Sequence, residues 1–459
     1  MNSDLNRRRF LQVAGLAGAS ILTGCRGATD TRPNVVLLLA DDLRHDVFSF
    51  AGHPVSRTPA IDDLAGDGIL FPDAFVTTSI CAISRASLVL GQWAGRHGIA
   101  DFGTGLSAAQ EKLSAPFLLR ESGYHTGFLG KYGIGWKLPP STPYHVCECF
   151  GGQGDYYRPD DERHLTARLA ESATRFIRGA PRGRPFFLTV SFKAPHAQGR
   201  NAFLPDHGLA SLYDDAAIER VPTDTAEHYA ALHPALAGEH EGRTRYLERF
   251  GDDQRLRTTR LNYLRLVAGL DRAVGRIREA IVNAGESART IVIFTSDNGF
   301  FLGEHGMAGK WLPFEPSIRV PLIVHDPRLA GRQRRRQMAL NVDLAPTLLD
   351  WAEIDAPRAM QGRSLRQALT DPAAMLRDDW FYEHHYQPKA SYIPASTAVR
   401  GTRYKYIRWH GEQAGESLFD LEADPRETRD LAQSPEAATL LTELRARHDL
   451  LQEETSRPA

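Results

Sequence analysis

Two acidic pairs stand where apolar runs stop: Asp41-Asp42 closes the run over residues 34–40, and Asp297-Asn298 closes the run over residues 290–296. Between them lies Cys81, followed by Ser84-Arg85 at the start of a predicted helix. Three carboxylates and an amide oxygen make an oxygen-only ligand set, which suits a hard divalent cation such as Ca²⁺ or Mg²⁺ better than zinc. A thiol is a poor ligand for such a cation, so Cys81 needs another chemical explanation. Each acidic pair alone is common in ordinary turns; their shared place at strand ends gives them weight.

The strands supply that place. Residues 34–40 and 290–296 are apolar without alternation, as expected of strands buried on both faces of a parallel sheet. The carboxyl ends of such strands share one edge, where ligands bind, so residues far apart in sequence meet there. Further strand candidates at 124–130, 186–192 and 320–325 alternate with helical patterns at 166–179 and 258–284, which argues an α/β domain. In the longer helix Leu264, Val267, Ala268, Val274, Ile277 and Ile281 share one side, and Gly285 stops it. The polar stretch from Gly199 to Asp253 reads as an insertion with short helices over the site mouth.

After a helix at 343–350 the pattern changes to short antiparallel strands at 380–383, 397–400 and 403–409, a turn over 419–425 and a terminal helix over 435–452. The expected division is a catalytic α/β domain over 33–365 and a C-terminal α+β subdomain over 366–459. The basic run at 331–337 reads as a solvated loop.

Charge is nearly balanced, with 55 basic and 56 acidic residues in 459, which argues against a general nucleic-acid-binding protein. No apolar run reaches about 18 residues, so no spanning helix is expected. Arg7-Arg8-Arg9-Phe10-Leu11 looks like a twin-arginine export signal, and Leu22-Thr23-Gly24-Cys25 resembles a lipobox. Residues 1–25 are therefore read as a signal and 26–32 as a tether. The twin-arginine export machinery is then a partner, and the protein is periplasmic or at the cell surface, touching the membrane only through a lipid on Cys25. Cys147 and Cys149 are expected to be free structural thiols, because a bridge between i and i+2 would be strained.

Taken together, these residues resemble the sulfatase family, within the wider alkaline-phosphatase-like superfamily. The family signature is C-x-P-S-R, then an apolar helix and a T-G pair. Here it reads Cys81-Ala82-Ile83-Ser84-Arg85, running to Leu90-Gly91. Gly130-Lys131, Ala194-Pro195-His196, Gly303-Glu304-His305, Gly309-Lys310-Trp311 and the stretch 317–324 follow in the family's order. The resemblance implies a large mixed, mostly parallel sheet flanked by helices, with a smaller C-terminal antiparallel sheet plus helix. It implies that a maturation enzyme oxidises Cys81 to formylglycine (3-oxoalanine), whose hydrated form attacks sulfur and then eliminates sulfate.

By the same resemblance Asp41, Asp42, residue 81, Asp297 and Asn298 bind the metal, with Ca²⁺ favoured over Mg²⁺ on the family's account. Arg85 would hold the nucleophile, Lys131 and Lys310 would bind sulfate, and His196 with Lys310 would donate a proton to the leaving oxygen. Ser84 is expected to cap the helix that begins after Cys81, whose N-terminus adds partial positive charge. His305 is read as structural or as standing just outside the site, and not as catalytic. His384-His385 are left outside the core site, and Tyr382, Tyr386 and Tyr392 are read either as sugar-stacking groups or as core.

Two positions depart from the pattern. Ile83 stands where proline or alanine is usual, and a branched side chain there would slow maturation. Gly133 stands where the family often has a histidine that removes the diol proton. The reading is sulfate ester hydrolysis on a sulfated small molecule or polysaccharide, carbohydrate before aryl ester. A phosphomonoester or phosphonate ester hydrolase on the same scaffold, and a silent sulfatase-like binding protein, stay open as alternatives.

Overall fold

The computed structural model describes residues 30–139, 142–387 and 392–457. The export signal, Cys25 and the first part of the tether lie outside these. The elements that carry the argument are β1 (Asn34–Asp41), β2 (Ile69–Leu70), α1 (Cys81–Leu90), β3 (His125–Lys131), β4 (Val146–Phe150), α2 (Leu165–Gly179) and β5 (Phe186–Pro195). They continue with α3 (Glu241–Phe250), α4 (Asp253–Asn283), β6 (Thr290–Ser296), β7 (Leu322–His325), β8 (Gln333–Arg334) and α5 (Leu344–Trp351). The C-terminal part holds β9 (Asp379–His384), β10 (Ser396–Gly401), β11 (Tyr404–Trp409), β12 (Gly415–Asp420) and α6 (Ala438–Ser456).

The large sheet runs β8-β2-β7-β6-β1-β5-β3-β4. Strands β6, β1, β5, β3 and β4 are mutually parallel, while β7 runs antiparallel to both β6 and β2. The unbroken apolar run of β1 serves both faces of the pleat. Val36, Leu38 and Ala40 join the core under α2 and α4, and Val35, Leu37 and Leu39 join the one shared with Leu88, Leu344 and Leu348. Helix α4 begins at Asp253, five residues ahead of the expected start at 258, because the Asp252 carboxylate caps it by accepting from Arg255 N (2.8 Å).

The insertion folds into α3 and shorter turns, and α3 packs against Ala308-Gly309, immediately before Lys310. The C-terminal sheet has the order β9-β10-β11-β12, all antiparallel. Its last strand includes Phe419-Asp420, where the sequence suggested only a turn. Trp380, Trp409 and Phe419 share one core with Phe301 and Phe314, so this sheet is fastened to the loops that follow β6. No described helix is long and apolar enough to cross a membrane.

Two local expectations are corrected. Cys147 and Cys149 are joined by a disulfide, with Cα atoms 5.5 Å apart. Positions i and i+2 face the same side of β4, and here the strand brings their Cα atoms close enough for the bridge. Ser84 does not cap α1. The helix starts at Cys81 itself, and Ser84 lies one turn inside, buried, where Asn341 Nδ2 donates to its hydroxyl (2.9 Å).

Candidate active site and metal centre

The carboxyl ends of four neighbouring strands form the site. β1 ends in Asp41-Asp42, β6 is followed by Asp297-Asn298, β3 ends in Lys131, and β5 leads into His196. Register fixes the first two pairs side by side, since Ala40 lies opposite Ser296. Asp42 turns back with φ +62°, a conformation aspartate tolerates better than most residues, and its backbone N–H donates to Asp297 Oδ1 (3.3 Å). All four residues are buried.

Cys81 opens α1 and points its thiol into this group, donating to Asp41 Oδ1 (3.3 Å). Lys310 Nζ donates to both Cys81 Sγ and Asp42 Oδ1. Lys131 Nζ donates to Asp41 Oδ2 (2.5 Å) and to Gln153 Oε1 (2.7 Å). One lysine thus touches position 81 directly, and the other is joined to it through Asp41. Ligand-capable atoms of Asp41, Asp42, Cys81 and His196 all lie within 4.8 Å of one another.

Arg85 makes its hydrogen bonds away from Cys81, while its buried Nη2 has no hydrogen-bond partner among the described residues. Its guanidinium donates to Asp297 Oδ2 (2.8 Å), to the Lys131 carbonyl (2.8 Å) and to Ser191 Oγ (2.6 Å), and lies 3.6 Å from Asp41. It makes no hydrogen bond to Cys81. Its contacts tie the ends of β3, β5 and β6 together, which makes it a positioning residue. Gln153 and Ser191 were missed in the sequence because neither lies in a motif. Lys193 was missed too; it is buried one turn of chain before His196 and donates to the carbonyls of Gln153 (3.0 Å) and Ala197 (3.3 Å).

The electrostatics follow from burying three acids with three bases. Burial pushes Asp41 and Asp42 up, yet Lys131 beside Asp41 and Lys310 beside Asp42, with His196, hold both below the usual carboxylate range. Asp297 moves the other way: burial and the neighbouring Asp41 charge raise it to about 6, against Arg85. Burial, with Asp41 adding, pushes the Cys81 thiol up to about 12, so as a cysteine it stays protonated and a weak nucleophile. Burial would lower Lys310, but Asp42, Cys81 and Asp41 keep it above the ordinary lysine range.

His196 is held neutral, lowered to about 3 chiefly by burial. Its Nδ1 lies 2.6 Å from the Ala197 carbonyl, which can only accept, so Nδ1 carries the proton. Nε2 then faces Asp42 Oδ2, 3.6 Å away, as an acceptor. In this tautomer His196 has no N–H on Nε2 to give to the site.

The donor set fits a hard divalent cation. Asn298 Nδ2 donates to Asp42 Oδ1 (2.6 Å) and to the Gly299 carbonyl (2.9 Å), while its Oδ1 is buried with no hydrogen-bond partner among the described residues. A buried amide oxygen left unpaired is costly, and a cation among the three carboxylates would satisfy it.

His305 is buried against Phe314 at 5.3 Å, as expected of a structural group. His384 is fully buried in β9, and the Tyr382 hydroxyl donates to the Trp311 carbonyl, so both belong to the core.

The Sulfatase family model matches residues 33–354, and a second, described as N-sulphoglucosamine sulphohydrolase, C-terminal, matches residues 303–454. An N-acetylglucosamine-6-O-sulfatase of Bacteroides thetaiotaomicron is 26% identical, over 95% of this chain and 88% of that protein. A solved complex with the substrate D-glucosamine-2-N,6-O-disulfate superposes with a TM-score of 0.83 at 23% identity, covering 92% of this chain and 98% of the other. A phosphonate monoester hydrolase from Silicibacter pomeroyi superposes at 0.79 with 22% identity, covering 93% and 96%. At these identities the two structures speak to the fold alone. With the family match spanning well over half its length, the chain belongs to the sulfatase family.

Proposed function

We propose that the protein hydrolyses sulfate esters of a carbohydrate, using a formylglycine made from Cys81 beside a divalent cation, Ca²⁺ before Mg²⁺. The observation that carries this reading is the meeting of the motif cysteine with Asp41 and Lys310 inside a buried cluster of acids and lysines. Asp41, Asp42, Asp297 and Asn298 would hold the cation, which as a Lewis acid would polarise the sulfate and favour an ionised oxygen at position 81. The high pKa of the unmodified thiol supports the need for that oxygen.

The residues of the chain supply the rest. Lys131 and Lys310 bring two positive charges to an anion that must gather negative charge as its ester bond breaks. Lys310 is protonated and adjacent to position 81, so it is placed to give a proton to the departing alcohol. His196, neutral with Nε2 facing the site, is placed to accept one. Arg85 keeps Asp297 and the end of β3 in register with each other.

The carbohydrate-directed relative and the C-terminal family match support a sulfated glucosamine as the substrate class. Export through the twin-arginine route and a lipid on Cys25 are part of the same reading, as are domains meeting near residue 365. The test is side-by-side turnover of aryl sulfate, aryl phosphate and aryl phosphonate esters, followed by sulfated glucosamine. The reading expects sulfate to be the preferred ester; preference for the phosphonate would replace it with the phosphonate hydrolase alternative, and no turnover of any ester would favour the binding alternative.

A further inference from the structure

We infer that Trp136 is a stacking platform for a second sugar ring, so that the protein selects a sulfated oligosaccharide over a monosaccharide. This rests on the sulfate ester reading above. Of the six tryptophans, Trp93, Trp311, Trp351, Trp380 and Trp409 are each 7% exposed or less, whereas Trp136 is 60% exposed. Leaving one indole in water forgoes the gain of burying it, so its placement calls for a reason.

The backbone that carries it is clamped. A Cβ on Gly151 would lie 2.6 Å from the Trp136 carbonyl oxygen, and a Cβ on Gly135 would lie 2.9 Å from the Gly105 Cα. These close approaches, which only glycine permits, fix the segment while leaving the ring in the open. The indole lies beside Phe102 (6.0 Å between centroids), which meets Tyr386 edge-on at 5.4 Å.

This ledge is connected to the active site by packing. Phe102 and Tyr386 pack against Ile80, Ile83 and Trp311, which flank Cys81 and follow Lys310 in the chain. Trp136 itself stands five residues beyond Lys131. A flat aromatic face on a clamped backbone suits the C–H face of a pyranose, with little entropy lost on contact. The exposed Lys137 next to it offers charge to an anionic substituent on that ring. An aryl sulfate or a monosaccharide has no second ring to place there.

The experiment compares mono-, di- and tetrasaccharides of sulfated glucosamine, with an aryl sulfate as reference. In the wild type kcat/KM should rise about tenfold from mono- to disaccharide. Trp136→Ala should erase that gain through KM alone, with turnover of the monosaccharide and aryl sulfate unchanged, and Trp136→Phe should keep most of it. Equal KM for the disaccharide in wild type and Trp136→Ala, or an equal loss on every substrate, overturns the inference. Calorimetric binding of the tetrasaccharide to Cys81→Ala, with and without Trp136→Ala, reads the ledge without turnover. A tenfold weakening there supports it even if no ester is hydrolysed, and an unchanged affinity overturns it.

Discussion

Arg85 occupies the space that a side chain at position 133 would need. A Cβ on Gly133 would lie 2.8 Å from Arg85 Cδ and 3.1 Å from Nε, and the backbone there has φ +74°. With Gly133 in this conformation, the guanidinium that ties β3, β5 and β6 passes through the place the family's common histidine would take. Restoring it with Gly133→His should destabilise the protein by about 1–3 kcal/mol and lower turnover instead of raising it. Thermal unfolding and kcat of the variant check this; a faster enzyme of unchanged stability would contradict it.

Lys131→Ala and Lys310→Ala should each lower kcat about 10²–10³-fold, the usual loss of a donor aimed at developing charge. The two should differ on substrates with different leaving groups. As the proposed proton source, Lys310 should when replaced give a variant hurt most with alkyl sulfates and least with activated aryl sulfates. Lys131 only binds charge, so its deficit should be constant. Equal leaving-group dependence in both variants would remove the proton from Lys310.

Much of this site was legible because it sits at the ends of uniformly apolar strands, which leave little choice of topology. The two acidic pairs at Asp41 and Asp297 were placed by that logic, with the family pattern adding Lys131, Lys310 and His196. The sequence could not show the direction of a long side chain, so Arg85 was assigned to Cys81 although it serves Asp297. Ser84 failed as a cap because the helix starts four residues earlier than capping requires. The Cys147–Cys149 bridge was unreadable because ordinary strand geometry holds such pairs too far apart, and only the local path of the edge strand brings them together.

Cation binding should release a proton. Asp297 sits at about 6 because of burial and Asp41, so below that pH the carboxyl must ionise before it can serve as a ligand. Calcium affinity of the metal-free protein should therefore fall as pH drops from 7 to 5, by up to roughly tenfold per unit below pH 6. Calorimetry in buffers of different ionisation enthalpy measures the proton directly. Treatment with a chelator should abolish turnover, and Ca²⁺ should restore it.

Asp271 offers a check on the scaffold alone. Its carboxylate accepts from Ile61 N (2.8 Å) inside the junction of α4 with the helix after Thr58, and burial raises it to about 6. A raised carboxyl favours the folded state only when protonated, so stability is lost as pH rises through about 4 to 6 and stays lower above. Asp271→Asn keeps the acceptor without the charge. It should be more stable than wild type by about 2 kcal/mol at pH 7–8, with the difference closing near pH 4. A constant difference across that range would contradict the assignment.

The central claim is that residue 81 works as an oxygen nucleophile derived from a cysteine. Mass spectrometry of the peptide carrying residue 81, from protein purified out of its native host and treated with an aldehyde-trapping hydrazide, tests it most directly. The account predicts a trapped aldehyde at that position despite the bulk of Ile83. An intact thiol in every copy of a preparation that still cleaves sulfate esters would contradict it.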